Sequence, residues 1–311
     1  MIKLDLGPEP DELKTERERL LPQAIQAFNE HDHGSKELNA LLDEGYRVAR
    51  PMLMHRQHDK CAFCENNEDH ESRPVEHFRP KKEAHDDSSG SVVVVTSHYW
   101  WLAWTWSNLY FSCIKCNKQG NKGSRFTIKP GTPRAAAPTR PLANPIPDSF
   151  YDFSAECALL VDPRVDEPLD HLQWVPVDST VPRATWRWTI QGRSAKGTET
   201  IRLLGLKDRI DRVNRHLQGI TDMAIEIDKH LAKAELSDAQ AAFDLLVARY
   251  VDDANSPFRN AGYWALAALY PAASRASNGF RNLPRPSVVA RTDPLPNPKP
   301  AKATKPVKPT S

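Results

Sequence analysis

Apolar positions in the first part of the chain recur at helical spacing. Leu13, Leu20, Leu21, Ala24, Ile25 and Phe28, with Arg17 in the same register, form one stripe. Leu38, Leu41, Leu42, Tyr46 and Ala49 form a second, and His31 to Ser35 carry the break between them. Steps of three and four place such residues on one helix face, so residues 10–57 predict an antiparallel helix pair. Residues 58–131 show no regular period, and residues 132–150 form a proline-rich connector. Beyond Phe150, the segments Ala158–Val161, Leu172–Val175 and Thr185–Ile190 predict short strands. Ile210, Val213, Leu217, Ile220, Ala224, Ile227 and Leu231 predict a long amphipathic helix. Ser237 with Gln240 suggests a capping box, and Ser256-Pro257 an N-cap followed by a proline in the first turn of a last helix. No internal repeat occurs.

The chain has 311 residues, room for one large domain or two to three small ones, and 40% hydrophobic with 26% charged residues is ordinary for a globular protein. The longest apolar runs, Val92–Val95 and Trp264–Tyr270, fall far short of the roughly 18–20 residues needed to cross a bilayer. The opening stretch has no apolar core of the signal-peptide kind, so a cytoplasmic protein is expected. The net charge of +2 is unevenly spread: residues 284–311 carry +5 and eight prolines, leaving −3 for residues 1–283. Such a tail cannot bury enough apolar surface to order itself. The expected organisation is an N-terminal helical segment (1–57), a Cys-, His- and Trp-rich domain (58–131), a mostly helical α+β lobe (132–283) and a disordered basic tail (284–311).

The middle segment holds the chemistry. Four of the five cysteines form two C-x-x-C pairs, Cys61/Cys64 and Cys113/Cys116, separated by 48 residues. Each pair can present two thiolates to one tetrahedral ion, and the two together complete a Cys₄ site, best suited to one structural zinc. An iron–sulfur centre remains open at this stage; a redox motif needs only one pair, and disulfides suit secretion. Cys157 stands outside the pattern and is expected to be a buried apolar residue. Between the pairs lies Arg73-Pro-Val-Glu-His-Phe-Arg-Pro-Lys81, and Asn108 and Asn117 flank the second pair. His77 has an ordinary pKa suited to a general base near neutrality, and Glu76 and Asn117 offer hard oxygens suited to Mg²⁺ or Mn²⁺. Lys115, Lys118, Lys122, Arg125 and Lys129 run from Cys113 to Lys129 without an acid, and Arg79 and Lys81 flank His77. The strip suits a phosphate backbone. His98-Tyr-Trp-Trp-Leu-Ala-Trp-Thr-Trp106 places four tryptophans within seven residues, expected as core rather than as a base-stacking platform. His55, His58, His70 and His85 are expected to be ordinary polar residues.

This combination resembles the zinc-knuckle branch of the HNH nucleases, whose fold is a ββα-metal finger: C-x-x-C, then Glu-His with a nearby Pro, then Asn-Leu, then C-x-x-C-Asn and a Lys. The strings Cys-Ala-Phe-Cys-Glu, Glu-His-Phe-Arg-Pro-Lys, Tyr-Trp-Trp-Leu-Ala-Trp and Trp-Ser-Asn-Leu-Tyr-Phe-Ser-Cys are similar to HNH proteins of anti-phage defence. That group contains the nuclease subunit of Septu systems (PtuB-like) and its retron-associated relatives. Leu159-Leu-Val-Asp-Pro163, Asp166-Glu-Pro168, His171-Leu172 and Thr200-Ile-Arg-Leu-Leu-Gly-Leu206 extend the resemblance over roughly residues 45–260. It implies His77 as the general base, Glu76 and Asn117 as ligands of a catalytic Mg²⁺ or Mn²⁺, Asn108 as the brace that orients His77, and the cysteines as scaffold. It further implies nucleic acid, DNA before RNA, as substrate and an ABC/SMC-like ATPase as partner. No G-x-x-x-x-G-K-[ST] string occurs in the chain itself. Two departures stand out: Asn117 where the family often has His, and Phe126-Thr127-Ile128 in place of Phe-Pro-Leu. The competing class is a non-catalytic zinc-ribbon module that binds nucleic acid or a partner.

Overall fold

A computed structural model describes residues 1–31, 34–67, 74–87, 91–96, 99–118, 120–291, 293 and 295. Arg73, His70, His98 and most of the basic tail lie outside the described residues. In chain order the elements are β1 (Lys3–Asp5), α1 (Asp11–Glu30), α2 (Lys36–Leu42), α3 (Arg50–Arg56), β2 (Val75–His77), β3 (Glu83–Asp86), β4 (Val93–Thr96), β5 (Leu109–Phe111) and α4 (Ile114–Asn117). Then follow α5 (Pro168–His171), β6 (Leu172–Pro176), β7 (Trp188–Gly192), α6 (Ala195–Leu204), α7 (Ile210–Ala232), α8 (Leu236–Val247), α9 (Arg259–Leu269), α10 (Ala272–Ser277) and β8 (Ser287–Val289). Among the described residues the strands form four two-stranded sheets: β1 with β8 in parallel, and β2 with β5, β3 with β4 and β6 with β7 antiparallel. The molecule is a mixture of helices and strands, with a buried apolar core that draws on both terminal parts and the middle.

The first predicted helix forms as α1, with Asp11 and Glu12 in its first turn, where the helix dipole favours acids. The second predicted helix breaks into three pieces. α2 is capped by Ser35, whose hydroxyl accepts from the Leu38 amide at 3.2 Å, and it ends at Leu42. Gly45 then turns with φ +74°, and a 3₁₀ turn over Tyr46–Ala49 leads into α3. A side chain at Gly45 would come within 2.4 Å of Leu20, so close packing on α1 adds to the conformational reason for glycine there. The tryptophans are core, as expected: Trp100, Trp101 and Trp104 are fully buried and Trp106 nearly so. Three of their indole N–H groups bind distant carbonyls, Trp101 to Phe150, Trp104 to Glu44 and Trp106 to Gly7, each at 2.9 Å. The aromatic run thereby ties the middle segment to the chain before and after it.

In the C-terminal part, the strand expected at Leu172–Val175 forms as β6, and the strand expected at Thr185–Ile190 lies two to three residues later as β7. Ala158–Val161 is not a strand; it contributes an isolated bridge between Ala158 and Ile128. Its backbone finds other partners: Leu159 donates to the Thr127 carbonyl at 2.9 Å and Val161 to the Thr200 hydroxyl at 2.8 Å. The long amphipathic helix forms as α7. Its Asn214 accepts from the Trp188 amide at 2.7 Å and donates to the Trp188 carbonyl at 3.0 Å, fastening helix to hairpin.

Both predicted caps fail. α8 begins at Leu236, so Ser237 and Gln240 lie inside the helix, and its N-terminal residue Glu235 provides no side-chain cap. α9 begins after Phe258, which adopts a left-handed conformation (φ 54°) and buries its ring, leaving Ser256-Pro257 outside. The cap of α9 comes from far along the chain instead. The Glu65 carboxylate accepts from the amides of Arg259 at 2.8 Å and Asn260 at 3.3 Å, which places an anion at a helix N-terminus. Two further expectations change. Cys157 is exposed, not buried. The basic tail is not irregular from its start, since Ser287–Val289 pair in register with Lys3–Asp5.

Candidate functional site

Two ends of one small antiparallel strand pair carry the site. β2 and β5 pair as Val75 with Phe111, Glu76 with Tyr110 and His77 with Leu109. The chain leaving β5 enters the second cysteine pair, and the first pair follows α3. Gln57, at the end of α3, clamps them together: its amide donates to the Phe111 carbonyl at 2.9 Å and to the Lys60 carbonyl at 3.0 Å, and accepts from the Phe111 amide at 2.9 Å. Cys61, Cys64, Cys113 and Cys116 are all buried and unbridged, with their sulfur atoms mutually within 4.8 Å. Cys64 Sγ and Cys113 Sγ are 3.7 Å apart. A tetrahedron with metal–sulfur bonds of about 2.3 Å requires sulfur pairs about 3.8 Å apart, so the donor set fits one zinc. Cys113 also caps α4, its sulfur accepting from the Cys116 amide at 3.4 Å.

At the other end, His77 is buried with its ring edge-on to Tyr46, centroids 4.7 Å apart. Its Nε2 lies 2.9 Å from the Ala103 carbonyl oxygen. A carbonyl can only accept, so Nε2 carries the proton and Nδ1 keeps its lone pair. Burial, with the nearby Lys81 charge, pushes the His77 pKa down to about 3; the ring is neutral at physiological pH, but it is a weaker base than the ordinary pKa expected from the sequence would make it. Asn108 is buried and pairs with both backbone groups of Arg79, accepting from its amide at 2.8 Å and donating to its carbonyl at 3.0 Å; it also donates to the Leu102 carbonyl at 3.3 Å. It thus bridges the segment after His77 to the tryptophan turn before β5.

Glu76 is buried, and burial pushes its carboxyl pKa up while the Lys122 ammonium pulls it back. Lys122 has no exposed surface. It forms an ion pair with Glu76 and donates to the His77 carbonyl at 2.7 Å. Sequence reading placed Lys122 in the phosphate-binding strip; the structure places it inside, gripping the side chain of one site residue and the backbone of the next. Nothing local in Asn121-Lys122-Gly123 distinguishes a buried lysine from a solvated one.

Glu76, His77, Asn117 and Lys122 line one cleft of about 530 Å³, together with Lys81, Arg125, His85 and, from the N-terminal part, Asp43 and Tyr46. The Asn117 side chain has no hydrogen bond to another described residue. Lys81 binds the Leu42 carbonyl and Asp43 (3.0 Å) and sits 4.1 Å above the Tyr46 ring. Its pKa falls to about 8 through burial, partly offset by Asp43. Arg125 is tied to Asp87 at 3.3 Å and to the Gly120 carbonyl at 2.6 Å. Four expected phosphate contacts, Arg79, Lys115, Lys118 and Lys129, do not line this cleft. Arg79 turns away to Glu156 (2.8 Å) and stacks on Phe153, while Lys115 and Lys118 are exposed elsewhere on the surface. Sequence reading also missed Asp43 and Tyr46, which come from a different segment, and His85, which lines the cleft and binds Glu83 at 2.8 Å.

The chain is similar to Septu protein PtuB of Bacillus mycoides (strain KBAB4). The two are 28% identical over 201 residues, which is 63% of this chain and 56% of that relative. This match supports the PtuB-like resemblance read from the motifs. The aligned region spans little more than half the length of the relative. No protein-family model and no solved structure matches the chain. Among the described residues no helix is long and apolar enough to cross a membrane.

Proposed function

We propose that the chain is a metal-dependent HNH endonuclease that hydrolyses phosphodiester bonds of nucleic acid, DNA before RNA, as a subunit of a Septu-type anti-phage system with an ATPase partner. The observation that carries this reading is the state of His77: neutral, its Nε2 proton committed to the Ala103 carbonyl, in a cleft shared with Glu76 and Asn117. With Nε2 committed as a donor, Nδ1 is the ring atom left to accept a proton. Glu76 and Asn117 are hard oxygen donors and fit Mg²⁺ or Mn²⁺ in kind; the cation they would hold supplies charge stabilisation at the phosphate and the leaving oxygen. Lys81 and Arg125 line the same cleft and place positive charge where a phosphate backbone would enter. Lys122 holds the end of β2 rigid, and Asn108 holds the following turn. The similarity to PtuB supports the defence context.

One observation favours the alternative, a non-catalytic zinc-ribbon module: the Glu76 carboxylate already has a cationic partner in Lys122. The test is incubation of purified protein with plasmid DNA and with tRNA in Mg²⁺ or Mn²⁺, with and without the ATPase. Cleavage by wild type, lost in His77→Ala that retains its zinc, is the expected result. Binding without cleavage under every condition would establish the alternative.

A further inference from the structure

The cysteine cluster has a charged neighbour 93 residues further along the chain. Arg209 ends a 3₁₀ turn, Leu206–Arg209, and immediately precedes α7. Its side chain is only 6% exposed. Nη2 lies 3.5 Å from Cys116 Sγ, and Nη1 donates to the Gly205 carbonyl at 2.8 Å. Among the described residues it is the charged side chain in hydrogen-bond contact with a sulfur of the cluster, that of Cys116; the exposed Asp208 carboxylate lies 3.8 Å from its other terminal nitrogen. The turn that carries it approaches the second knuckle closely. Gly205 takes a left-handed conformation, and a side chain there would come within 2.8 Å of Asn121.

Four thiolates around one divalent ion carry a net charge of −2, and burying such charge without a counter-ion is costly. The cysteine segments themselves supply only backbone amides and the Ser112 hydroxyl, 3.8 Å from Cys61 Sγ. A guanidinium is the suitable compensating group because it stays charged when buried and directs several donors from one plane. Resting on the reading of the cysteines as a zinc site, we infer that Arg209 is the outer cation of this centre: it offsets the tetrathiolate charge, so zinc retention and the docking of α7 on the knuckles depend on one another. The motif Thr200–Leu206, which the proposed catalysis leaves unexplained, then has a task. It delivers Arg209.

The test is zinc release from the full-length protein to a chromophoric chelator, after elemental analysis of zinc per chain. Arg209→Met, which keeps bulk and removes charge, should release zinc about 10–100-fold faster than wild type, the range for removal of a partner of metal ligands. Arg209→Lys should fall between, and Arg215→Met, an exposed neighbour on α7, should match wild type. A folded Arg209→Met releasing zinc at the wild-type rate would overturn the inference. If Arg209→Met does not fold, hydrogen exchange on wild type decides: stripping zinc should deprotect the amides of residues 206–213, and unchanged protection there overturns the coupling. Wild type purified without metal would refute the zinc reading and this inference together, whereas zinc present but indifferent to Arg209 refutes this inference alone.

Discussion

The two ends of the β2–β5 strand pair are built on opposite principles. At the cysteine end, four like side chains converge with a 3.7 Å sulfur–sulfur contact that matches a tetrahedral ion, and two local turns supply them all. At the cleft end, unlike groups meet from four places in the chain: Tyr46, Glu76–His77, Asn117 and Lys122. If the cysteines hold zinc, the first end should tolerate little change, because losing one ligand would remove the ion that organises the rest. The second is assembled by burial and hydrogen bonding, so a change at His77 should cost function before stability, whereas breaking the buried Glu76–Lys122 pair should cost stability as well. The cysteine cluster and the cleft thus share one strand pair without sharing the same sensitivity.

The largest effect expected is at the scaffold. Cys113→Ser should lose bound zinc and the cooperative melting transition together, read by elemental analysis and circular dichroism. A variant that keeps a wild-type melt without metal would erase the contrast between the two ends. Next, His77→Ala should retain zinc and fold while cleavage falls by about 10²–10⁴-fold, the range for a positioned general base. Wild-type cleavage rates in that variant would remove His77 from the chemistry.

The third effect tests the buried pair. Lys122→Met strands the Glu76 carboxylate in the interior and should cost about 3–5 kcal/mol of unfolding free energy, measured by denaturant titration. The double variant Glu76→Gln/Lys122→Met should recover much of that loss, since no buried charge remains. Losses that simply add would show that the two groups do not interact.

The smallest effect is in pH dependence. His77 has a folded pKa of about 3, below its ordinary value near 6.5. Between these values the unfolded chain binds more protons than the folded one. Its contribution is therefore fully present above about pH 6.5 and is lost progressively as pH falls towards 3. His77→Phe should flatten the stability profile across this window, by thermal melts from pH 7 to 4. An unchanged profile would mean that the ring is not held neutral by burial.

Legibility followed the range of the interactions. The C-x-x-C pairs, the tryptophan core and α7 could be read because each is encoded within a few residues or a few turns. The segment Ala158–Val161 could not, since its apolar composition fits a strand but its backbone partners are Thr127 and Thr200. The caps went the same way: Ser256 looks like the start of α9, yet Glu65 does that work from 194 residues away. Of the cations chosen for phosphate binding, Lys81 and Arg125 line the cleft, Lys122 is a buried counter-ion and Arg79 belongs to Glu156. Charge can be counted along a chain, but exposure belongs to the fold.

By itself, then, the sequence determined where four thiolates could meet, which stretches would be helical and which residues next to the knuckles had the right chemistry. These follow from covalent spacing and from periodicity, which act over short distances. Only the tertiary structure decided that Lys122 would grip Glu76, that Tyr46 would wall the cleft, that Glu65 would cap α9 and that Arg209 would reach Cys116. Each of these joins groups distant in the chain, and each depends on burial removing a charge or polar group from water. Once water is excluded, such a group must find a partner within hydrogen-bond reach, and which partner stands there is settled by packing.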